Sequence, residues 1–144
     1  MPRTYAYRID ERHLPKGAKA CIVWALTQCA KASKGKIQFF LSHGSPNIMF
    51  SGGKPPPNTS NPSDPFEAYY FQLSTNVYSI IFDPDVKWST AWWRFGASFK
   101  KLCLHEIIHC LLGPEHSTDP SSIMFYRPSV SSVDKATAVK LSRL

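Results

Sequence analysis

The sequence predicts an α+β fold, in which a β-sheet carries one helix between its strands and two further helices towards its C-terminal end. Three observations support this prediction: short alternating apolar segments in the first part of the chain, an apolar stretch from Leu102 to Leu112, and an amphipathic stretch that closes the chain. With 144 residues, 43% of them hydrophobic, the chain can bury a core of its own. We therefore expect one domain over residues 1–144.

The strands are predicted from apolar alternation and from aromatic or β-branched content. Five segments have this character: 5–9, 36–41, 48–50, 67–73 and 77–82. The last two lie on either side of Ser74-Thr75-Asn76, an arrangement typical of a hairpin. Residues 51–65 contain five prolines, which predicts a surface loop.

Three helices are predicted. The first spans residues 15–34 and ends at Gly35. One side of it is expected to be buried: Ile22, Val23, Leu26 and Ala30. The last helix follows Ser131-Ser132-Val133-Asp134, which fits a capping box. Its predicted buried side consists of Val133, Ala136, Val139 and Leu141.

The middle helix carries the pattern His105-Glu106-Ile107-Ile108-His109. A match of this kind arises by chance in roughly half a percent of chains of this composition. Positions i and i+4 lie on one face of a helix, so His105 and His109 can bind one metal at about 2.0–2.1 Å. Glu106 can then take a proton from a metal-bound water as that water attacks a peptide carbonyl. The pattern predicts a zinc peptidase site with Glu106 as general base.

The surroundings of the two histidines support this interpretation. From Leu102 to Leu112 the helix is apolar nearly all round, which is typical of a helix buried in a core. Buried polar side chains need partners, because each unsatisfied group costs about 1–3 kcal/mol. A metal with its water would satisfy all three groups. The alternative is that the histidines bond to backbone carbonyls and Glu106 points to solvent.

Together with Gly113, His116 and Ser122-Ile123-Met124-Phe125-Tyr126, this motif resembles the zinc-binding consensus and Met-turn of the metzincins, in particular of the matrixins. The resemblance extends over almost the whole chain. It implies a twisted mixed sheet of four to five strands with three helices, the active-site helix lying under the cleft. It also implies that His116 is the third metal ligand, and that Met124 forms a hydrophobic base under the histidines and is not a ligand.

One departure concerns the end of the active-site helix. In the family pattern the glycine falls seven residues and the third histidine ten residues after the first histidine. Here Gly113 falls eight and His116 eleven residues after His105. We expect the helix to run one residue longer, to Leu112, and the chain to turn at Gly113-Pro114, with His116 still reaching the metal.

The resemblance also implies where a substrate binds. If Glu67 to Phe71 is the edge strand of the sheet, an extended peptide would add to it through main-chain hydrogen bonds. The predicted substrate-binding residues lie on this strand and after Met124: Tyr69, Tyr70, Phe71, Phe125, Tyr126 and Arg127. The last three would line the pocket for the residue that follows the scissile bond.

We expect one catalytic zinc and no structural zinc, because no histidine occurs between His43 and His105. Asp83 and Asp85 are candidate calcium ligands. Two acids in a turn are more often solvated charges, so calcium is the lesser expectation.

The formal charge of +7 and the pI near 9.4 raise a competing hypothesis of nucleic-acid binding, for which Trp88, Trp92, Trp93 and Arg94 would offer a surface. The lysines are dispersed and no nucleic-acid module is recognisable, so we do not expect this as the main function. A further alternative is a zinc-containing peptide-binding module without catalysis. The intact Glu106 favours the peptidase, acting on protein or peptide substrates, and no oligomer is implied.

The compartment is not determined by the sequence. No signal peptide or span of 18 apolar residues is present, and Cys21, Cys29, Cys103 and Cys110 are expected to be small buried hydrophobes and not disulfides. These features favour an intracellular, viral or microbial enzyme over a trimmed secreted domain. Matrixins usually carry a propeptide whose cysteine caps the zinc, and nothing before Tyr5 can do so.

Overall fold

The computed structural model describes residues 2–54, 67–91 and 97–144. Its largest element is a five-stranded mixed sheet with the order β2-β1-β3-β5-β4. The strands are β1 (Arg3–Ile9), β2 (Ile37–Leu41), β3 (Ile48–Gly52), β4 (Ala68–Ser74) and β5 (Val77–Phe82). The helices are α1 (Ala18–Ala32), α2 (Phe99–Leu112) and α3 (Lys135–Ser142). The predicted α+β fold, with its mixed sheet and three helices, is therefore confirmed.

Four strands of the sheet are parallel, and β4 alone runs antiparallel at one edge. Helix α1 makes the crossover between β1 and β2, since parallel neighbours need a long connection. Strands β4 and β5 form the predicted hairpin, and Asn76 in its turn adopts a left-handed conformation with φ of 59°. The predicted edge strand is thus the outermost strand of the described sheet.

Strand β3 is two residues longer than predicted, so Ser51 and Gly52 belong to the sheet and not to the proline-rich loop. A Cβ atom at Gly52 would lie 2.1 Å from the backbone oxygen of His13, a distance that no side chain tolerates. Glycine is therefore required where the short 3-10 turn Glu11–His13 crosses the end of β3. Residues 55–65 of the predicted loop lie outside the described part of the chain.

Helix α1 begins three residues later than predicted, because Gly17 adopts a left-handed conformation with φ of 87° and stands at its N-cap. Its buried side consists of Ala18, Cys21, Ile22, Ala25, Leu26 and Cys29. The prediction that Val23 is buried is wrong, since 41% of its surface is exposed.

The core lies between the sheet and the helices α1 and α2. Its largest fully buried side chains are mostly aromatic or β-branched: Phe50, Phe82, Phe99, Ile22, Ile37, Ile48, Ile80, Leu104, Ile107, Ile108, Ile123 and Leu141. The four cysteines lie on α1 and α2, are free and are buried, as predicted. Burial raises the pKa of all four thiols.

Helix α3 differs from its prediction in both cap and buried side. Asp134 itself is the N-cap and accepts a hydrogen bond from the Thr137 amide, so the predicted capping box is wrong. Ala136 and Val139 are exposed, whereas Thr137 and Leu141 are buried. The helix therefore starts later than the box implied, at Lys135.

Trp88 closes the core at the start of α2. It lies in a short strand, β6 (Trp88–Ser89), which pairs with β7 (Ala97–Ser98). Its ring meets those of Phe82 and Phe99 edge-on, with centroids 5.7 and 5.4 Å apart. It therefore packs under the active-site helix, while Trp92, Trp93 and Arg94 lie outside the described residues. No helix among the described residues is long and apolar enough to cross a membrane.

Candidate metal centre

Helix α2 positions the first two candidate ligands. Ser98 caps its N-terminus by accepting a hydrogen bond from the Lys101 amide. The helix is buried on nearly all sides, and the polar residues His105, Glu106 and His109 are buried with it, at 4%, 8% and 4% exposure. The apolar stretch in the sequence therefore does correspond to a core helix that contains three polar groups.

The end of α2 turns the chain towards the third candidate ligand. The helix ends at Leu112, as predicted, and Gly113 follows with φ of 103°. Its amide donates to the His109 carbonyl at 2.8 Å, and its own carbonyl accepts from the ring of His109 at 2.9 Å. Glycine reaches this left-handed conformation without a Cβ clash. The additional residue lengthens the helix by one position and leaves His116 able to return to the site.

The three histidines converge on one point. Their ligand atoms all lie within 4.8 Å of one another, the only such group of metal-ligating side chains among the described residues. The Nε2 atom of His109 lies 3.0 Å from that of His105 and 3.2 Å from that of His116. His116 is exposed, so the site is open to solvent on its side.

Hydrogen bonds to the backbone fix the tautomers of the two helical histidines. Nδ1 of His105 lies 2.6 Å from the carbonyl oxygen of Ile123, and Nδ1 of His109 lies 2.9 Å from that of Gly113. A carbonyl oxygen only accepts, so each Nδ1 must donate and each Nε2 of a neutral ring carries a lone pair. Burial lowers the pKa of both rings to about 4, so both are neutral near pH 7.

Two lone pairs that face each other at 3.0 Å repel unless a cation lies between them. Zinc bound tetrahedrally at about 2.0–2.1 Å holds its nitrogen ligands about 3.3–3.4 Å apart. The observed Nε2 separations of 3.0 and 3.2 Å approach that spacing. The three imidazoles therefore fit zinc, and each backbone acceptor orients its ring as in known zinc sites.

Glu106 lies next to this point on the same helix. Burial raises the pKa of its carboxyl group to about 8, because the charged form loses its solvation. A positive charge at the three Nε2 atoms would favour the carboxylate form instead. The carboxyl group of Glu106 and the three histidines line the same cavity.

The segment after His116 connects the histidines to Met124. Ser117 donates its amide to the Met124 carbonyl at 2.8 Å and forms a bridge with Phe125. Met124 is buried, with 6% exposure, and belongs to the hydrophobic core cluster. Its amide donates a hydrogen bond to the Ser122 hydroxyl at 3.0 Å.

Asp134 anchors the same segment from the other side. Its carboxylate accepts from the Ser122 hydroxyl at 2.9 Å and from the Ile123 amide at 3.0 Å, while it also caps α3. Burial opposes the charged form, but these hydrogen bonds outweigh it and lower the pKa of Asp134. The Ile123 carbonyl that orients His105 therefore belongs to a peptide segment held by Asp134. The sequence analysis assigned Asp134 only to the helix cap. The four hydrogen-bond donors around its carboxylate could not be recognised from the sequence.

A cavity of about 230 Å³ opens beside the histidines. It is lined by Ala68, Tyr69, Tyr70, His105, Glu106, His109, Pro114, His116 and Tyr126. Among the predicted substrate-binding residues, Tyr69, Tyr70 and Tyr126 thus lie at the cavity. Phe71, Phe125 and Arg127 are not among its lining residues. Tyr126 is 62% exposed, and Arg127 is also exposed.

The predicted calcium ligands lie in a different environment, which we call the acidic turn. It comprises Asp83, Asp85 and Lys54. The Lys54 ammonium lies 3.4 Å from Asp83 and pairs closely with Asp85. The Asp83 carboxylate also accepts from the Asp85 amide at 2.9 Å, and the Asp83 carbonyl accepts from the Trp88 ring at 2.8 Å. The chain itself supplies a cation at this turn.

The chain was compared with known protein families and with curated proteins. The family model described as matrixin matches residues 6–143, nearly the full length of the chain. No curated protein matches the chain significantly. The matched region contains both the mixed sheet and the three converging histidines. The chain therefore belongs to the matrixin family of zinc metallopeptidases.

Proposed function

We propose that the protein is a zinc-dependent endopeptidase that hydrolyses peptide bonds in proteins, with His105, His109 and His116 as metal ligands and Glu106 as general base. The observation that supports this most is the convergence of three Nε2 atoms beside a buried carboxyl group. Family membership supports the metal and the reaction class.

Each side chain has a defined part in this reaction. The histidines hold the metal through neutral imidazoles whose rings the backbone orients. Bound zinc supplies a Lewis acid that polarises the substrate carbonyl and activates water. Glu106 takes a proton from the attacking water and can pass it to the leaving amine, since the same carboxyl group serves as base and then as acid. Met124 forms part of the apolar support beneath the ligands, as the Met-turn.

The edge strand β4 offers a place for the substrate. Its outer side has no partner strand among the described residues, and its residues Tyr69 and Tyr70 line the cavity beside the histidines. An extended peptide that adds to this edge would run past the metal centre. The main chain of β4 would then hold the peptide in register with Glu106.

The test compares the parent protein with Glu106→Gln, which keeps the shape of the side chain and removes the base. Metal analysis should find one zinc per chain in both proteins. Cleavage of a mixed peptide library should fall by about 10²–10⁴-fold in the variant, the usual contribution of a general base. Glu11→Gln, an exposed carboxylate on the 3-10 turn, should cleave like the parent.

Each other outcome excludes part of the proposal. Equal cleavage by Glu106→Gln would remove the assigned general base. Zinc binding by the parent without any cleavage would indicate a non-catalytic peptide-binding module. A parent protein that binds no zinc would exclude both interpretations.

A further inference from the structure

The middle of the edge strand places one aromatic ring against the metal centre. The ring of Tyr70 lies parallel to that of His109, with an angle of 9° between their planes and 4.8 Å between their centroids. Two rings stacked in this way leave no space for a third group between them. Tyr70 therefore covers one face of a candidate metal ligand.

The neighbouring side chains of β4 point the other way. Side chains alternate between the two faces of a strand, and Tyr69 and Phe71 stack on each other, with centroids 5.7 Å apart. Tyr70 is thus the aromatic residue of this strand that faces α2. It is half-buried there, and this burial raises the pKa of its hydroxyl group.

The remaining cavity is small. Its volume of about 230 Å³ is below the range of about 300–1,000 Å³ that is typical of small-molecule pockets. Tyr70 and Tyr126 both line it, together with the three histidines. A substrate side chain adjacent to the reacting carbonyl would enter this space, because the cavity wall includes the metal ligands themselves.

We propose that Tyr70 determines the side-chain preference of the peptidase, by filling the part of the cleft that lies against His109 and so restricting the substrate residue beside the metal to a small side chain such as glycine, alanine or serine. This inference rests on the proposed function. The phenyl ring and not the hydroxyl group sets the limit, since it is the ring that stacks on His109.

The test measures binding as well as turnover. Short peptide hydroxamates bind a catalytic metal directly, and their adjacent side chain can be methyl, isobutyl or phenethyl. Calorimetry with the zinc-loaded protein should give the tightest binding for methyl in the parent. In Tyr70→Ala the larger side chains should gain at least about 10-fold relative to methyl, because each buried methylene in an apolar pocket changes discrimination by about 10–200-fold.

Two matched variants separate the effect of the ring from other causes. Tyr70→Phe keeps the ring and should retain the preference of the parent. Leu73→Ala changes an exposed apolar residue near the other end of β4, which does not line the cavity, and should also retain it. Peptide-library cleavage is profiled on the same four proteins, and the preference at the corresponding substrate position should shift only in Tyr70→Ala.

The outcomes distinguish this inference from the proposed function. If peptides are cleaved but Tyr70→Ala keeps the preference of the parent in both assays, Tyr70 does not set specificity and the peptidase remains. If hydroxamate preference shifts in Tyr70→Ala while the parent cleaves no peptide, the cavity assignment holds and the peptidase activity fails. A parent that prefers the phenethyl side chain overturns the inference directly.

Discussion

The metal centre and the acidic turn both gather side chains that commonly bind metals, yet they balance charge in opposite ways. In the metal centre, backbone carbonyls orient the histidines so that their Nε2 lone pairs face one another at 3.0 and 3.2 Å. In the acidic turn, Lys54 places its ammonium group between two carboxylates. The first arrangement calls for an external cation, whereas the second already contains a cation of its own.

The difference shows that residue type is a weaker guide to a metal site than the direction of the lone pairs and the position of the nearest positive charge. Asp83 and Asp85 are hard oxygen ligands of the kind that calcium prefers. Lys54, two residues after the end of β3, reaches them across 29 and 31 residues of sequence, respectively. The following predictions test this contrast.

The largest effect is expected where a ligand is removed. His105→Ala should weaken zinc binding by more than about 100-fold, since changes to groups that only orient a ligand already cost about 10–100-fold. Asp85→Ala, in the acidic turn, should leave zinc affinity unchanged. Competition with a chromophoric chelator measures both. Equal loss in the two variants would mean that the regions are coupled and that the contrast is incorrect.

The next effect concerns the support of the metal centre. Asp134→Asn should weaken zinc binding by about 10–100-fold, because the Ile123 peptide that orients His105 loses a charged acceptor. Thr137→Val removes only the hydrogen bonds from the Thr137 hydroxyl to Asp134 at the helix end and should lower the thermal midpoint without changing zinc affinity. If both variants lose stability alike and zinc affinity stays at the parent value, Asp134 acts only as a helix cap.

A smaller effect is expected at Met124. Met124→Leu conserves volume and should cost less than about 1.5 kcal/mol in the free energy of unfolding. Zinc affinity should stay within a few-fold of the parent, because the side chain supplies apolar packing and no ligand atom. Denaturant titration and chelator competition give the two quantities. A loss of zinc comparable to that in His105→Ala would make Met124 a direct determinant of metal binding.

The smallest effect is expected at the acidic turn. Exposed ion pairs contribute little, so Lys54→Met should change the thermal midpoint of the protein only slightly. The measurement that tests this prediction is the effect of calcium on the thermal midpoint. Calcium should leave the midpoint of the parent unchanged and raise that of Lys54→Met, in which the two carboxylates lack their cation. A parent that is stabilised by millimolar calcium would show that the lysine does not replace the ion.

Much of this architecture was predictable because it depends on local patterns. Alternation located all five strands of the main sheet, and the motif from His105 to His109 located the helix that carries the site. The position of Gly113 correctly predicted where that helix ends, although the helix is one residue longer than in the family pattern. Glycine is favoured at such a turn because it adopts a left-handed conformation without a Cβ clash.

The errors arose where contacts distant in sequence decide the structure. Gly52 belongs to β3, where the backbone of His13 lies against it. No property of residues 51–65 predicts that contact. The buried side of α3 depends on where Asp134 begins the helix, which in turn depends on donors in the segment from Ser122 to Ile123. The neutralising role of Lys54 and the stacking of Tyr70 on His109 are likewise products of the tertiary fold.

The four buried cysteines give the protein an internal reporter of its own opening. The thiolate is the form that attacks a thiol reagent, and burial both hides these groups and disfavours that form. Cys21 and Cys29 on α1 and Cys103 and Cys110 on α2 are all buried, so each becomes reactive only when the structure around it opens. The labelling rate of the unmodified chain therefore reports how often the core around α1 and α2 opens, without any engineered probe.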